Sequence, residues 1–377
     1  MARTKKTETD AENKNKSASK SKSSKKSTSK KAESQPEQQQ KKGFWAKLST
    51  AARIGLIAGA VIILAVAAVF IVFARAKVPD QSMEGTLKQG ETIIFNKFSM
   101  PEQGEIVIFR NPETDTIVPG HTDKNYYKMC RKYGKNWISK AELAPLKLKK
   151  RPVMVSRCIA GPNELVEIKD NKVFVNKKQI ADPENIKRLY FVVKEGIVNA
   201  ASLDSIGLTK NDIEGEKENI DDYMAFYRQK NTQNGNMSLY SLSNDAAEKF
   251  GEFSVVKHIE PAIFPVGHFD PIVFPYAEMG KKSWNESNFG ALRIPAKGMK
   301  LNLSPYSVQL YRRAIEAYEG NTLEIKPDGF YINGKHTESY VFKQDYWFVM
   351  GDNRASKNDS RYFGLVPEDH ILGTAIK

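Results

Sequence analysis

Hydrophobic positions divide the chain into three stretches of different pattern. Residues 1–43 are mostly Lys, Ser, Thr, Glu and Gln, with no aliphatic run and no aromatic before Phe44. Such a segment buries too little apolar surface to offset its ordering entropy, which predicts a disordered tail. It gives way abruptly to Ile54–Ala74, 21 positions without a charged or strongly polar side chain, bracketed by Arg53 and Arg75. At ~1.5 Å per residue a helix over this run is ~31 Å long, the thickness of a hydrocarbon core. A transmembrane helix is predicted over 54–74, and no later segment reaches 18 apolar residues, so one crossing is expected. A cleaved signal peptide is the competing reading, with Ala74-Arg75-Ala76 as a faint small-x-small site, but the run is long and lies behind about fifty residues. The third stretch carries short β-former runs between turn residues: Thr92–Asn96, Glu105–Arg110, Val153–Ile159, Val166–Lys169, Val173–Val175, Leu189–Val193, Leu323–Lys326, Phe330–Ile332, Tyr346–Met350 and Leu372–Ile376. This predicts a mainly β, antiparallel exported region.

An internal similarity sharpens that expectation. Val166-Glu-Ile-Lys-Asp-Asn-Lys-Val-Phe-Val-Asn-Lys-Lys178 aligns without gaps, at an offset of 157, on Leu323-Glu-Ile-Lys-Pro-Asp-Gly-Phe-Tyr-Ile-Asn-Gly-Lys335. Tyr190-Phe191-Val192 falls on Trp347-Phe348-Val349 at the same offset. Each copy reads as a hairpin with an Asp-Asn or Asp-Gly type turn. Between the copies the pattern is mixed, with a polar stretch at Thr209–Asn236 and a helix-like Ser307–Tyr318. The expected organisation is therefore a tail over 1–43, a span over 54–74, a β domain over 76–193 and 321–377, and an inserted subdomain over 194–320.

Charge then fixes orientation. The formal net charge is +14, from 58 Lys+Arg against 44 Asp+Glu, but residues 1–53 hold fifteen basic and five acidic side chains, leaving +4 for the remainder. A near-neutral body argues against a nucleic-acid-binding domain, and no nucleic acid partner is expected for it. Lys41, Lys42, Lys47 and Arg53 precede the span, while Asp80 and Glu84 follow Arg75 and Lys77. Positive residues stay inside, so the tail is expected in the cytoplasm and residues 76–377 on the outer, periplasmic side of the cell membrane. The tail suits anionic lipid headgroups or RNA, or is a solvated extension that sets topology. Lys124–Arg151, with ten basic residues and Glu142, reads either as a loop resting on headgroups or as a solvated loop. Two cysteines make no disulfide framework or four-Cys zinc site; Cys130 and Cys158 could pair, but free buried thiols are the default. The five histidines fall in no His-Glu-x-x-His or triad pattern, so neither metal nor cofactor is expected.

Five blocks follow the span in order: Val78-Pro-Asp-Gln-Ser-Met-Glu-Gly-Thr-Leu87, Gln89-Gly-Glu-Thr-Ile-Ile-Phe-Asn-Lys97, Gln103-Gly-Glu-Ile-Val-Ile-Phe-Arg110, Arg157-Cys-Ile-Ala-Gly-Pro-Asn-Glu-Leu-Val-Glu-Ile168 and Met350-Gly-Asp-Asn-Arg-Ala-Ser-Lys-Asn-Asp-Ser-Arg-Tyr-Phe-Gly-Leu-Val-Pro367. Together they resemble the bacterial type I signal peptidases, over about 78–175 and 310–377, the Gly-Asp-Asn-Arg…Asp-Ser-Arg block being the most specific. The resemblance implies a membrane-anchored serine endopeptidase that removes signal peptides from exported pre-proteins through a Ser-Lys dyad. It makes Ser82 the nucleophile. A lysine deprotonates a serine only as the neutral amine, its pKa lowered by desolvation.

Departures from the family pattern carry as much as the match. The family's base Lys directly precedes the Arg of Arg-x-x-x-x-Pro, where this chain has Ser156, and the Ser that touches that lysine's amine in family structures is replaced by Lys357. Lys150, six residues upstream and ~20 Å along a strand, cannot substitute. Either the two partners have exchanged places, with Lys357 as base and Ser156 supplying the supporting hydrogen bond, or the active site has decayed into a non-catalytic signal-peptide binder or assistant of a working peptidase, or Ser82 is activated in another way. Asn163-Glu164 replaces the family's Gly-Asp, Gly161 its Leu, and Gly85 a frequent Pro. Asp80 stands where some members place an oxyanion-binding hydroxyl, which leaves backbone N–H groups, including that of Ser82, as donors. Arg157, Asp352, Asp359 and Arg361 read as an ion-pair framework bracing the site. By position Val78, Met83, Leu87 and Val155 resemble the lining of the small pockets that select Ala-x-Ala; ordinary core residues are the alternative.

Overall fold

The apolar run forms a helix over Thr50–Val72 in the computed structural model, four residues ahead of its expected start and two short of its expected end. Thr50-Ala-Ala-Arg53 extend it because nothing in them breaks a helix. Phe73 and Ala74 leave it because they open the strand Phe73–Lys77, which pairs antiparallel with Thr92–Asn96. The helix is long and apolar enough to cross a membrane, and none of its side chains is buried. The structure describes residues 44–120, 125–134, 138–196, 198–208 and 236–376. The expected disordered tail, nearly all of the polar stretch Thr209–Asn236, and Lys124 and Lys135 of the basic segment lie outside the described residues. Two compact units divide at Ile62/Ile63. Among described residues the first holds the short helix Phe44–Lys47 and the start of the apolar helix.

The second unit is mainly β, as the patterning predicted. Its seven-stranded antiparallel sheet runs in the order Phe73–Lys77, Thr92–Asn96, Ile371–Ala375, Ile106–Arg110, Val153–Ala160, Tyr346–Met350, Val366–Pro367. All ten β-former runs are strands within a residue or two of their expected ends. The central strands are buried on both faces and so read as continuous apolar runs. Strand alternation sends Ile108 and Val155 to one face, against Val78, Met83, Ile93 and Phe95, and sends Val107, Phe109, Met154 and Cys158 to the other, against Trp347, Val349 and Phe363.

The internal similarity is two matching three-stranded units. Leu165–Lys169, Lys172–Val175 and Lys178–Gln179 correspond to Leu323–Lys326, Gly329–Ile332 and Lys335–His336. Asp170-Asn171 turns with φ of 48° and 64°. Its counterpart is Pro327-Asp328 rather than Asp-Gly, because Lys326 pairs with Gly329, which is already in the return strand; neither turn residue has a positive φ, which proline cannot take. The second turns, Asn176-Lys177 and Asn333-Gly334, both have two positive-φ residues, the hairpin geometry that Asn favours.

Strand pairing runs across both ends of the expected insertion, 194–320. Arg188–Lys194 is the central strand of a separate sheet, between Asn236–Leu242 and Val256–Pro261. That sheet has its own core around Tyr190, Val192, Tyr240, Leu242 and Phe250 of the helix Asn244–Gly251. Phe289–Arg293, by contrast, pairs with Leu165–Lys169, and Val273, Trp284, Val308 and Ile315 join the main core with Ile159, Val175 and Phe348. The expected helix is Pro305–Arg313 continued as a π turn, Ala314–Tyr318. Long-range strand pairing decides this partition, and local patterning does not report it.

Candidate active site

Ser82 sits on a single 3₁₀ turn, Gln81–Met83, and is only 2% exposed. The turn is pinned from beneath by Met83 and Val78, both essentially fully buried against Val155 and Ile108, with Leu87 half-buried at the margin. Full burial of a side chain of this size is worth about 1.5–3 kcal/mol, so the turn is held firmly on the sheet. The Ser82 Oγ lies 3.4 Å from the Val155 carbonyl, beyond the usual O–H···O range, which leaves the hydroxyl lightly held.

The segment after Tyr346–Met350 clasps this turn. Asn353 donates its N–H to the Ser82 carbonyl (3.0 Å) and its Nδ2 to the Gln81 carbonyl (3.2 Å). A Cβ on Gly351 would lie 2.3 Å from the Ser82 carbonyl oxygen, so only glycine permits this approach. Gly85 is required similarly: its φ is +103° and a Cβ would meet the Asn185 carbonyl at 2.1 Å. Asp352, completely buried, receives Arg157 through Nε (2.8 Å) and Nη2 (2.5 Å) and Thr86 Oγ1 (2.6 Å). Asp359 receives Arg361 through Nε (3.0 Å) and Nη2 (2.8 Å). The framework is thus two separate bidentate pairs, Arg157–Asp352 and Arg361–Asp359, one under each end of the clasp. Burial lowers and the Asp359 carboxylate raises the Arg361 pKa, the net result being upward.

Three groups expected to do chemistry are arranged unexpectedly. Asp80 caps the turn, accepting the Ser82 N–H on Oδ1 (2.9 Å), while its Oδ2 accepts Asn358 Nδ2 (2.7 Å). The backbone donor expected for an oxyanion is therefore occupied by the chain's own carboxylate. Ser156, by strand alternation on the face of Met154 and Cys158, is fully buried, and its Oγ has no hydrogen-bond partner. Its supporting bond to Lys357 is not formed. Lys357 is half-buried and lines, with Asp80, Gln81, Asn353 and Asn358, a cleft of about 870 Å³.

The cleft's far side includes Lys128, Arg131 and Lys150, so part of the basic segment is a cleft wall. Arg131 sits on the helix Tyr126–Tyr133 and is tied bidentately to the buried Glu113 (2.7 and 2.9 Å). Cys130 and Cys158 form no disulfide; Cys130 is partly exposed, and Cys158 is buried with its thiol pKa pushed up chiefly by that burial.

Residues 51–217 and 338–377, more than half of the chain, match the family model described as "Signal peptidase, peptidase S26". The chain belongs to this family. Similar relatives include signal peptidase I of Aquifex aeolicus, 42% identical over 53 residues (14% of this chain, 18% of that protein). Signal peptidase I of Buchnera aphidicola subsp. Schizaphis graminum is 47% identical over 38 residues (10% and 12%). Signal peptidase I T of Bacillus subtilis is 35% identical over 89 residues (17% and 46%). In each case the match spans less than half of the relative's length. Within the signal peptidase family frame, the clasp residues Gly351, Asn353 and Asn358 lie inside the Gly-Asp-Asn-Arg…Asp-Ser-Arg block and were legible as a group, though not in their individual roles. Thr86 lies in the quoted Val78–Leu87 block, though its bond to Asp352 was not read from it; Asn185 and Ser241 carry no such signal.

Proposed function

We propose that this chain is a membrane-anchored endopeptidase of the signal peptidase I type, removing signal peptides from exported pre-proteins with Ser82 as nucleophile and Lys357 as general base. The observation that carries the reading is the bond from Asn358, the residue after Lys357, to Asp80, two residues before Ser82. It ties the lysine's segment to the nucleophile's turn on one cleft wall. Lys357 as a neutral amine takes the Ser82 proton, Oγ attacks the scissile carbonyl carbon, and the amine returns that proton to the leaving nitrogen; water then hydrolyses the acyl-enzyme. The apolar helix holds the domain at the bilayer with the basic tail cytoplasmic and available to anionic lipid.

Purified full-length protein is assayed on a pre-protein carrying an Ala-x-Ala site. Ser82→Ala should abolish cleavage, and Lys357→Ala should lower it by roughly 10²–10⁴, the worth of a general base. Cleavage unaffected by Lys357→Ala sinks the base assignment. A second reading, a non-catalytic paralogue that binds signal peptides, is favoured by the Asp80 carboxylate on the Ser82 N–H and the unpartnered Ser156 Oγ. It predicts signal-peptide binding without cleavage, and gain of cleavage when Ser156→Lys and Lys357→Ser restore the family arrangement.

A further inference from the structure

The separate sheet of the insertion reaches the clasp. Ser241, on the strand Asn236–Leu242 and 6% exposed, donates its hydroxyl to Asn353 Oδ1 at 3.3 Å, and the Ala355 N–H donates to the same oxygen at 3.2 Å. A carboxamide has two orientations differing by a half-turn, and the surrounding donors select between them. Two donors on Oδ1 turn Nδ2 toward the Gln81 carbonyl, and the flipped amide would set two oxygens against each other there. The residue before the sheet's central strand is also joined to the clasp through its backbone: Lys187 N–H to the Asp352 carbonyl (2.9 Å) and Arg354 N–H to the Lys187 carbonyl (2.8 Å). Leu189 and Ser241 line the same cleft as Gln81 and Lys357.

We propose that Ser241 is a positioning residue for Ser82, fixing the Asn353 carboxamide that holds the nucleophile turn; the kinetic part of this rests on the endopeptidase reading above. The inserted sheet is then a wall of the active site, and its docking sets how firmly Ser82 is presented. At 3.3 Å this O–H···O bond is longer than usual, so its effect is set at the low end for a neutral hydrogen bond, roughly 2- to 3-fold.

The test uses the full chain in detergent with Ser241→Ala, Ser241→Thr, Asn353→Ala and the Ser241→Ala/Asn353→Ala double variant. Two quantities are read: kcat and KM on the pre-protein, and amide hydrogen exchange of the peptide spanning Gln81–Glu84. Ser241→Ala should lower kcat about 2- to 3-fold with KM little changed and should speed exchange of that peptide by a similar factor. Ser241→Thr, which keeps the hydroxyl, should restore both. In the Asn353→Ala background Ser241→Ala should have no further effect, the signature of a residue acting through another. Additive effects, or exchange at Gln81–Glu84 that ignores Ser241→Ala, overturn the proposal. If no form cleaves the pre-protein, the endopeptidase reading fails, while exchange alone still decides whether Ser241 holds the turn.

Discussion

On the endopeptidase reading proposed above, Asp80→Ala should speed cleavage. Asp80 Oδ1 occupies the Ser82 N–H at 2.9 Å, and its second oxygen is anchored by Asn358 at 2.7 Å, so an oxyanion forming at Ser82 must first displace a held carboxylate. Hydrogen bonds to a charged group are worth about 1.5–3 kcal/mol net, which is ~10- to 150-fold in rate at about 1.4 kcal/mol per decade. Removal of the side chain returns that amount, up to the ~10²–10³ that a single oxyanion donor contributes. Asp80→Asn keeps an oxygen acceptor and should gain less. Asp80→Ser removes the negative charge, leaves only a neutral hydroxyl on the N–H that can itself donate to an oxyanion, and should gain most. Loss of the cap costs about 1 kcal/mol, visible as a slightly lower Tm without loss of fold. Initial rates of pre-protein cleavage under saturating substrate decide the matter. A rate that falls or stays level in Asp80→Ala, in a protein whose activity still requires Ser82, refutes the argument that this carboxylate blocks the donor.

Other expectations follow from the same clasp. Gly351→Ala puts a Cβ 2.3 Å from the Ser82 carbonyl oxygen, so thermal denaturation should show about 1–3 kcal/mol of lost stability and the Ser82 turn should shift in hydrogen exchange. Arg157→Ala strands the fully buried Asp352 and should cost about 3–5 kcal/mol in denaturant melts, with Arg157→Lys recovering only part because the two-pronged geometry is lost. His370, 3% exposed and 2.7 Å from Arg151 Nη1, has its pKa lowered first by burial, against the opposing pull of Asp369. The unfolded chain therefore binds its proton first as pH falls, so this contribution to stability is complete above the unfolded value of about 6.5 and is lost on acidification below it. Tm measured from pH 7.5 to 5 should fall accordingly, and His370→Gln should flatten that part of the profile.

How much of this was readable from sequence depends on the range of the interaction. The strands Thr92–Asn96, Leu323–Lys326 and Tyr346–Met350 coincide with their apolar runs because β-former content between turn residues is a local property. The apolar helix was legible for the same reason, and its end was misjudged by two residues because Phe73 is claimed by a pairing with Asn96 across the chain. Ser82 was found through its motif, and the ion pairs were named as a set. Their partners were not resolved: that Arg157 belongs to Asp352, 195 positions away, follows from the register of Met350 on Arg157. The occupation of the Ser82 N–H by Asp80 is local, and an Asp two residues before a turn N–H is a readable capping signal. Ser241 had no signal, since nothing in Leu239-Tyr240-Ser241 distinguishes it from any strand serine.

The junction at Val72–Phe73 has a consequence for selection. A strand of the main sheet begins at the residue after the helix ends, and Lys97 Nζ bonds the Phe70 carbonyl at 3.2 Å, so the tether has no slack. An anchor on a flexible leash would let the cleft sample bonds at many heights. On the membrane-anchored endopeptidase reading proposed above, the direct passage from helix to strand fixes the chain length between anchor and nucleophile, Ser82 following the end of the helix by ten residues. Spacing between a substrate's own apolar segment and its cleavage point then becomes a selection criterion independent of the residues flanking the bond.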